Sequence, residues 1–124
     1  MTTTMTRTIM TVDDSTSMRQ MVKATLQSAG YGVVEAADGQ EALEYARANA
    51  VDLVISDVNM PRMDGITLIG ELRALPGYRL TPLLLLTTES SQEKKLEGKR
   101  AGATGWIVKP FNPAQLLTTL QKLL

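Results

Sequence analysis

The chain of 124 residues contains neither cysteine nor histidine. These two absences exclude a thiolate nucleophile, a Cys/His zinc site, a haem-type ligand and a Ser-His-Asp triad. They also exclude the disulfide framework that is typical of small secreted proteins. Any chemistry must therefore depend on carboxylates, hydroxyls, lysines and a hard metal ion.

Aromatic residues are scarce and net charge is absent. Phe, Trp and Tyr make up 4% of the chain, and 13 basic residues balance 13 acidic ones. This composition lacks the signature of nucleic-acid binding, so no nucleic-acid partner is expected. No run of 18 apolar residues occurs, and the Thr-rich start lacks the apolar region of a signal peptide. We therefore expect a cytoplasmic protein with no membrane partner, in which residues 1–6 form a flexible tail.

The remaining composition predicts one folded domain over residues 1–124. Hydrophobic residues make up 44% of the chain, which is enough for a core without disulfides, structural metals or a partner subunit. We therefore expect a monomer.

Short apolar runs predict five strands, at residues 9–12, 33–34, 53–55, 83–86 and 106–108. Except for the weaker second run they lack clean alternation, which is typical of parallel strands covered on both faces. Segments with helical spacing lie between them. Their predicted apolar faces are Met18, Met21, Val22, Leu26 and Ala29; Ala42, Leu43 and Ala46; Ile66, Ile69, Leu72 and Leu75; and Leu116, Leu117, Leu120, Leu123 and Leu124.

The ends of the predicted helices carry their own signals. Ser15 and Asn112 are candidate N-caps of the first and last helices, and Pro113 suits the first position of the last one. Residues 92–100 are nearly all charged and contain Gly98, so they predict a weaker, mobile helix. Five strands that alternate with five helices indicate an α/β fold, in which ligands bind beyond the carboxyl ends of the strands.

Acidic residues follow two of the predicted strands. Asp13 and Asp14 come after the first strand and Asp57 after the third. Taken alone, Asp14 is more often a helix cap. If the two strands are neighbours, however, the carboxylates converge, and like charges about 4 Å apart repel by roughly 4 kcal/mol at an effective dielectric constant of about 20. Because the donors are oxygens and no His is present, such a cluster favours Mg²⁺.

Two further strand ends add parts for phosphoryl transfer. Thr87 ends the fourth predicted strand and Lys109 follows the fifth. A carboxylate can attack phosphorus to form an acyl phosphate when a cation, a hydroxyl and an amine offset the charge. Asp57 is the candidate nucleophile, and Lys109 needs its long side chain because its strand is two places away.

Four motifs in order resemble the receiver domain of two-component response regulators over essentially the whole chain. The motifs are residues 12–15 (Val-Asp-Asp-Ser), 57–65 (Asp-Val-Asn-Met-Pro-Arg-Met-Asp-Gly), 86–88 (Leu-Thr-Thr) and 108–111 (Val-Lys-Pro-Phe). The resemblance implies a flavodoxin-like, doubly wound, five-stranded parallel sheet of order 2-1-3-4-5 with five helices. It also implies that residues 1–124 are a single receiver domain and that the Lys109–Pro110 peptide bond is cis.

The resemblance also implies roles for the acidic residues. Asp57 becomes the phosphoacceptor. Asp14 and Asp57 become direct Mg²⁺ ligands, Asp13 acts through water, and the backbone carbonyl of Asn59 completes the protein ligands. The side chains of Asn59 and Glu89 flank the water that would attack the acyl phosphate and so tune dephosphorylation.

The resemblance also implies a signalling role for residues on the fourth and fifth strands. Thr87 and Lys109 sense the phosphoryl group, and Trp106 stands where many receivers have the switching Tyr or Phe. Indole is larger than either ring, so two interpretations of Trp106 stay open. It is either a switch residue or a half-buried aromatic residue with no switching role. Likewise Lys94, Lys95, Lys99 and Arg100 form either a partner surface or a solvated helix face.

The partners follow from the same resemblance. The phosphodonor is a sensor histidine kinase, and a phosphatase is a further candidate partner. Because the sequence ends with the last helix, output by protein contact is expected. Residues 87–91 and 101–106 are most similar to single-domain chemotaxis regulators, whose target is the flagellar motor switch. The chain is not expected to be an enzyme beyond its own Mg²⁺-dependent phosphorylation and dephosphorylation.

Three alternatives stay open at this point. The receiver could be a phosphate sink that drains the kinase. A small aspartyl-phosphatase would need an acid at position 59, where Asn59 cannot donate a proton. A flavin-binding flavodoxin-like module would meet an acidic edge that repels its phosphate.

Overall fold

A computed structural model describes residues 6–124, so that residues 1–5 of the predicted flexible tail lie outside the described part. Its strands are β1 (Thr8–Val12), β2 (Gly32–Ala36), β3 (Leu53–Ser56), β4 (Leu83–Thr87) and β5 (Gly105–Val108). Its α-helices are α1 (Thr16–Ser28), α2 (Gly39–Ala48), α3 (Gly65–Arg73), α4 (Gln92–Ala101) and α5 (Pro113–Leu123). A short 3₁₀ turn, Pro76–Tyr78, follows α3.

The five strands form one parallel sheet in the order β2-β1-β3-β4-β5. The predicted flavodoxin-like order and the five helices are therefore confirmed. The winding direction reverses between β1 and β3, where Val12 pairs with Ser56 in register. Because parallel strands end at the same edge, the residues that follow β1 and β3 become neighbours.

Both faces of the sheet are covered. Met10, Val54 and Leu85 point to the face that α2 and α3 cover, and Ile9, Ile55 and Leu84 point to the face of α1 and α5. All six side chains are at most 1% exposed. Burial on both faces explains why these strands show no clean polar alternation.

Each of the five α-helices begins with a side-chain cap. The caps accept a hydrogen bond from the amide three residues on, and they are Ser15, Asp38, Asp64, Ser91 and Asn112. The predicted caps Ser15 and Asn112 are thus confirmed. In α1, Ser15 Oγ accepts from Met18 N at 3.3 Å.

The predicted apolar face of the first helix needs correction, whereas that of the third is extended. Met21 was expected in the core but is 56% exposed, because successive helical residues lie about 100° apart and α1 buries only Val22 and Leu26. Ala29 is an exposed C-cap. In the third helix, the predicted Ile69 and Leu72 are buried, and Ile66 and Leu75 are partly buried and pack against the same core. The buried Leu68 extends this face, and Leu75 lies beyond the end of α3.

The charged segment 92–100 does form a helix, α4. Gly98 is its only buried residue, and the helix ends at Gly102 in a left-handed conformation with φ of 111°. Its expected mobility stays a prediction. Among residues 6–124, no helix has the length and apolarity needed to cross a membrane.

Candidate functional site

Three carboxylates meet where β1 and β3 end. Asp13 and Asp14 follow β1, and Asp57 follows β3. One carboxylate oxygen from each of the three lies within 4.8 Å of the others. The structure therefore brings together the three acidic residues that the sequence predicted would converge.

Backbone contacts fix two of these carboxylates. Asp13 is 4% exposed, and its Oδ1 accepts a hydrogen bond from Ser15 N at 2.9 Å. Asp57 Oδ1 accepts from Val58 N at 2.6 Å. Asp14 is exposed. The backbone thus engages Oδ1 of both Asp13 and Asp57, and the Oδ2 atom of each contacts Lys109.

Lys109 reaches the cluster from the end of the edge strand β5. It follows β5, two strands from β3, and its Nζ donates to Asp13 Oδ2 at 2.7 Å and to Asp57 Oδ2 at 3.1 Å. Burial alone lowers the pKa of Lys109, but the hydrogen bond to Asp13 and the charges of Asp13 and Asp57 outweigh it and raise the pKa. The lysine therefore stays charged. The Lys109–Pro110 bond is cis, as expected.

The cluster has the composition of a magnesium site. Three carboxylates carry three negative charges, and Lys109 offsets one of them. All donors are carboxylate oxygens, which suit a hard divalent ion of small radius. The residues present therefore fit Mg²⁺, which would offset the remaining charge.

Thr87 lies at the same edge. It is the last residue of β4 and is fully buried, and its Oγ1 accepts a hydrogen bond from Glu89 N at 3.2 Å. Its backbone carbonyl accepts from Lys109 N at 2.8 Å. The structure thus places the predicted hydroxyl and amine on adjacent strand ends.

Trp106 contacts the loop between β4 and α4. Its indole N–H donates to the carbonyl of Glu89 at 3.0 Å. The ring packs beneath α4 at Gly98, where a Cβ would lie 3.1 Å from Cζ3, and against the core. The glycine that weakened the helix prediction therefore makes room for the indole. Whether the ring moves on phosphorylation stays a prediction.

The other predicted site residues lie partly in the loops at this edge and partly along α4. Asn59 is exposed in the loop after β3, two residues from Asp57. The four basic residues Lys94, Lys95, Lys99 and Arg100 lie on α4. Of these, Lys95 and Lys99 line a cleft of about 250 Å³ together with Trp106. The tuning and partner roles of these residues stay predictions.

Two arginines near the site have a role that the sequence pattern does not predict. Arg19 donates to the backbone carbonyl of Asp13 at 2.6 Å, and Arg62 pairs with the α2 cap Asp38. Arg62 belongs to the 57–65 motif, and Asp38 precedes a glycine as in a turn. The sequence therefore marks both positions as special, but it does not predict that they pair across 24 residues.

Comparison with known proteins supports the class of protein that this fold and site define. The family model of the response regulator receiver domain matches residues 9–121. The chain belongs to this family. The resemblance expected from the four motifs is therefore confirmed.

Its relatives include chemotaxis proteins. Chemotaxis protein CheY1 of Helicobacter pylori is 39% identical over 118 residues, which cover 94% of this chain and 95% of that protein. The structure of Vibrio cholerae CheY4 is 56% identical and has a TM-score of 0.92, covering 97% of this chain and all of that one. The response regulator TrrA of Thermotoga maritima, solved with Mg²⁺-BeF, is 35% identical with a TM-score of 0.85, covering 95% of this chain and 99% of its own.

Proposed function

We propose that the chain is a phosphorylation-activated response regulator of bacterial chemotaxis that accepts a phosphoryl group on Asp57. The observation that carries the proposal is the convergence of Asp13, Asp14 and Asp57 with Lys109 at the carboxyl edge of the sheet. Such a cluster can bind a cation and a phosphoryl group together. The similarity to chemotaxis proteins over nearly the full chain supports the pathway.

Phosphorylation would be an attack by a carboxylate oxygen of Asp57 on the phosphorus of a phosphohistidine. The new O–P bond forms as the N–P bond of the donor breaks. The electron pair of that bond leaves on the imidazole nitrogen, which then takes a proton. The donor is a sensor histidine kinase, so this chain needs no histidine of its own.

The residues of the acidic cluster would hold a divalent cation beside the phosphoacceptor. Asp14 and Asp57 would hold it directly, Asp13 through water, and Asn59 by its backbone carbonyl. When bound, Mg²⁺ offsets the negative charge that gathers as the phosphoryl group approaches. Val58 N donates to Oδ1 of Asp57, and this hydrogen bond orients the other carboxylate oxygen, Oδ2, for attack.

Two side chains would read the phosphoryl group. Lys109 would exchange its contact with Asp57 for a phosphoryl oxygen, and the buried hydroxyl of Thr87 would donate to another. Because Thr87 Oγ1 now accepts from Glu89 N, a turn of this hydroxyl would pull on the loop that Trp106 holds. Phosphorylation at β3 is thereby linked to α4.

The output would be contact with a protein target, the flagellar motor switch. The basic residues of α4, Lys94, Lys95, Lys99 and Arg100, form the proposed docking surface beside Trp106. Opposite charges on the target would steer association. We further propose a cytoplasmic monomer that catalyses only its own phosphorylation and dephosphorylation and that a phosphatase resets.

Phosphoryl incorporation tests the acceptor. The protein is mixed with Mg²⁺ and acetyl phosphate, and intact mass is measured for wild type, Asp57→Asn and Asp64→Asn. Asp64 is a matched control because it is an exposed helix cap, a position that asparagine also satisfies. One phosphoryl group is expected on wild type and on the control. Full incorporation into Asp57→Asn would refute the assignment.

Binding to a motor switch protein tests the output. A pull-down with and without a beryllofluoride mimic compares wild type with Lys95→Ala/Lys99→Ala and with Lys122→Ala, which changes a lysine on α5 instead. The mimic should increase capture for wild type and Lys122→Ala. Equal capture by all three proteins with and without the mimic would rule out a phosphorylation-dependent docking surface on α4.

A further inference from the structure

The segment between β3 and α3, residues 57–64, is called the β3–α3 loop here. It carries Asp57 at its start and Asn59, whose carbonyl is the proposed third protein ligand of the cation. Loops of this length without secondary structure are mobile unless other contacts hold them. The contacts that hold this one therefore bear on the affinity of the proposed Mg²⁺ site.

One anchor holds the two ends of the loop together. Gly65 N, at the start of α3, donates to the carbonyl of Val58 at 2.8 Å. A Cβ at Gly65 would overlap the backbone carbonyl oxygen of Asp57. The absence of a side chain at this position allows α3 to begin directly against the phosphoacceptor.

A second anchor holds the far side of the loop against α2. Arg62 donates to Asp38 Oδ2 through Nε at 2.9 Å and also through Nη2. Beside this pair, a Cβ at Gly39 would lie 2.6 Å from the carbonyl oxygen of Met63, so only glycine permits the approach. The loop residues between the two anchors are Asn59, Met60 and Pro61.

The conformation of Arg62 indicates that the second anchor has a cost. Its φ is +66°, in the left-handed region that side chains other than Gly, Asn and Asp rarely adopt. An arginine here sacrifices local backbone stability and gains a contact with Asp38. Asparagine and glycine, which tolerate this conformation, occur at positions 59 and 65 of the 57–65 motif, but position 62 is arginine.

The partner of Arg62 is itself rigidly held. Asp38 is 4% exposed, and its Oδ1 accepts from Glu41 N at 2.9 Å as the cap of α2. That backbone hydrogen bond, followed by the contacts with Arg62, lowers the pKa of Asp38 despite its burial. A fixed, charged carboxylate on a helix is a firm attachment point for a loop.

We propose that Arg62 is a positioning residue for the divalent cation site. Its ion pair with Asp38 attaches the β3–α3 loop to α2 and so fixes where the loop offers the carbonyl of Asn59. This inference rests on the proposed function. Arg62 acts through the loop backbone, and we assign it no contact with the ion or the phosphoryl group.

Four variants separate positioning from overall stability. Arg62→Gly removes the pair and also relieves the positive φ, so it should not lower the midpoint of urea unfolding. Asp38→Asn keeps a competent helix cap and removes the charge. Arg62→Lys restores a cation, and Arg47→Ala removes an exposed arginine from the other end of α2 as a control.

Calorimetric titration with Mg²⁺ is the main measurement. Arg62→Gly and Asp38→Asn should each weaken binding roughly tenfold, the low end of what losing an orienting residue costs a metal site. The double variant should be no weaker than either one, because both remove the same pair. Arg62→Lys should recover part of the affinity, and Arg47→Ala should match wild type.

Amide hydrogen exchange provides a second readout that needs no metal. Exchange at the amides of residues 59, 60, 62 and 63 should accelerate in Arg62→Gly while exchange in α2 and α3 is unchanged; Pro61 has no amide hydrogen. Wild-type affinity and unchanged loop exchange in Arg62→Gly would overturn the proposal. If wild type bound no Mg²⁺, the proposed function would fail, and the exchange measurement would still decide whether the pair holds the loop.

Discussion

The two halves of the functional edge are held in different ways. Around β1 and β3, backbone amides and Lys109 fix Asp13 and Asp57. The β3–α3 loop, which begins at Asp57, is anchored at both sides. Around β4 and β5, the loop to α4 is held by the indole N–H of Trp106 and by two amide-to-side-chain hydrogen bonds, from Glu89 N to Thr87 Oγ1 and from Ser91 N to Glu89 Oε1. In α4 itself, Gly98 is the only buried residue. One half has a fixed geometry, whereas the other has little apolar anchorage.

This difference matches what each half must do in the proposed function. A cation and a phosphoryl group bind tightly only if their ligands are already in place. A helix that reports the signal must instead exchange between arrangements whose free energies differ by a few kcal/mol. Weak anchorage of α4 is therefore an advantage. Four predictions test this contrast.

The largest effect is expected for Gly65→Ala, on the rigid half. The new methyl group would overlap the Asp57 carbonyl, so α3 or the phosphoacceptor must shift, at a cost of about 3 kcal/mol or more. Gly70→Ala in the same helix is the control. It has nothing within 4 Å and should gain about 0.5–1 kcal/mol from helix propensity. Urea unfolding measures both, and equal changes would contradict the close approach.

A smaller loss is expected for Lys109→Met. The variant leaves Asp13 and Asp57 without their shared cation and should lose about 2 kcal/mol without divalent ions. Adding Mg²⁺ should stabilise the variant more than wild type, because the metal then offsets the charge alone. Thermal melts with EDTA and with Mg²⁺ provide the comparison. A variant as stable as wild type in EDTA would show that Lys109 does not relieve the cluster.

On the other half, Gly98→Ala should change the position of Trp106 more than the stability. The added Cβ would lie 3.0–3.2 Å from Leu85 and the indole, which offsets a gain in helix propensity of about 1 kcal/mol. The half-buried ring is expected to move outward and weaken its bond to the Glu89 carbonyl. Since Trp106 is the only tryptophan, acrylamide quenching reports on it directly. Unchanged quenching would mean that the ring has room to spare.

The smallest effect is expected for Glu97→Gln on the exposed face of α4. The pair Lys94–Glu97 is 3.3 Å long, and both side chains are more than 40% exposed. Such surface pairs contribute within about 0.5 kcal/mol. Urea unfolding should therefore barely distinguish the variant from wild type. A loss comparable with that of Lys109→Met would contradict the contrast between the two halves.

The sequence predicted the strand ends well because the motif residues follow directly after apolar runs. Asp13, Asp57 and Lys109 could be placed at one edge once the strand order was known. The order itself came from the family resemblance, since periodicity shows which segments are strands but not which are neighbours.

Contacts between distant elements could not be predicted. The pairing of Arg62 with Asp38 depends on one left-handed residue in a loop, which no propensity indicates for arginine. Gly98 read as a weakness of α4 because its reason, the ring of Trp106, lies on another element. The helical spacing predicts Met21 in the core, but the same spacing fits the edge of a helical face, where Met21 is 56% exposed.

The reach of Lys109 across the sheet also concerns how the protein is made. Its bond to Asp13 joins residues 96 positions apart, from the first strand to the last. During translation, Asp13 and Asp57 leave the ribosome early. Lys109, the cation that offsets their charge, emerges only after β5 has been synthesised. A nascent chain that stopped before β5 would keep its carboxylates yet lack the amine that completes the site. In the proposed function, the site is thus complete only after β5 and Lys109 have been synthesised.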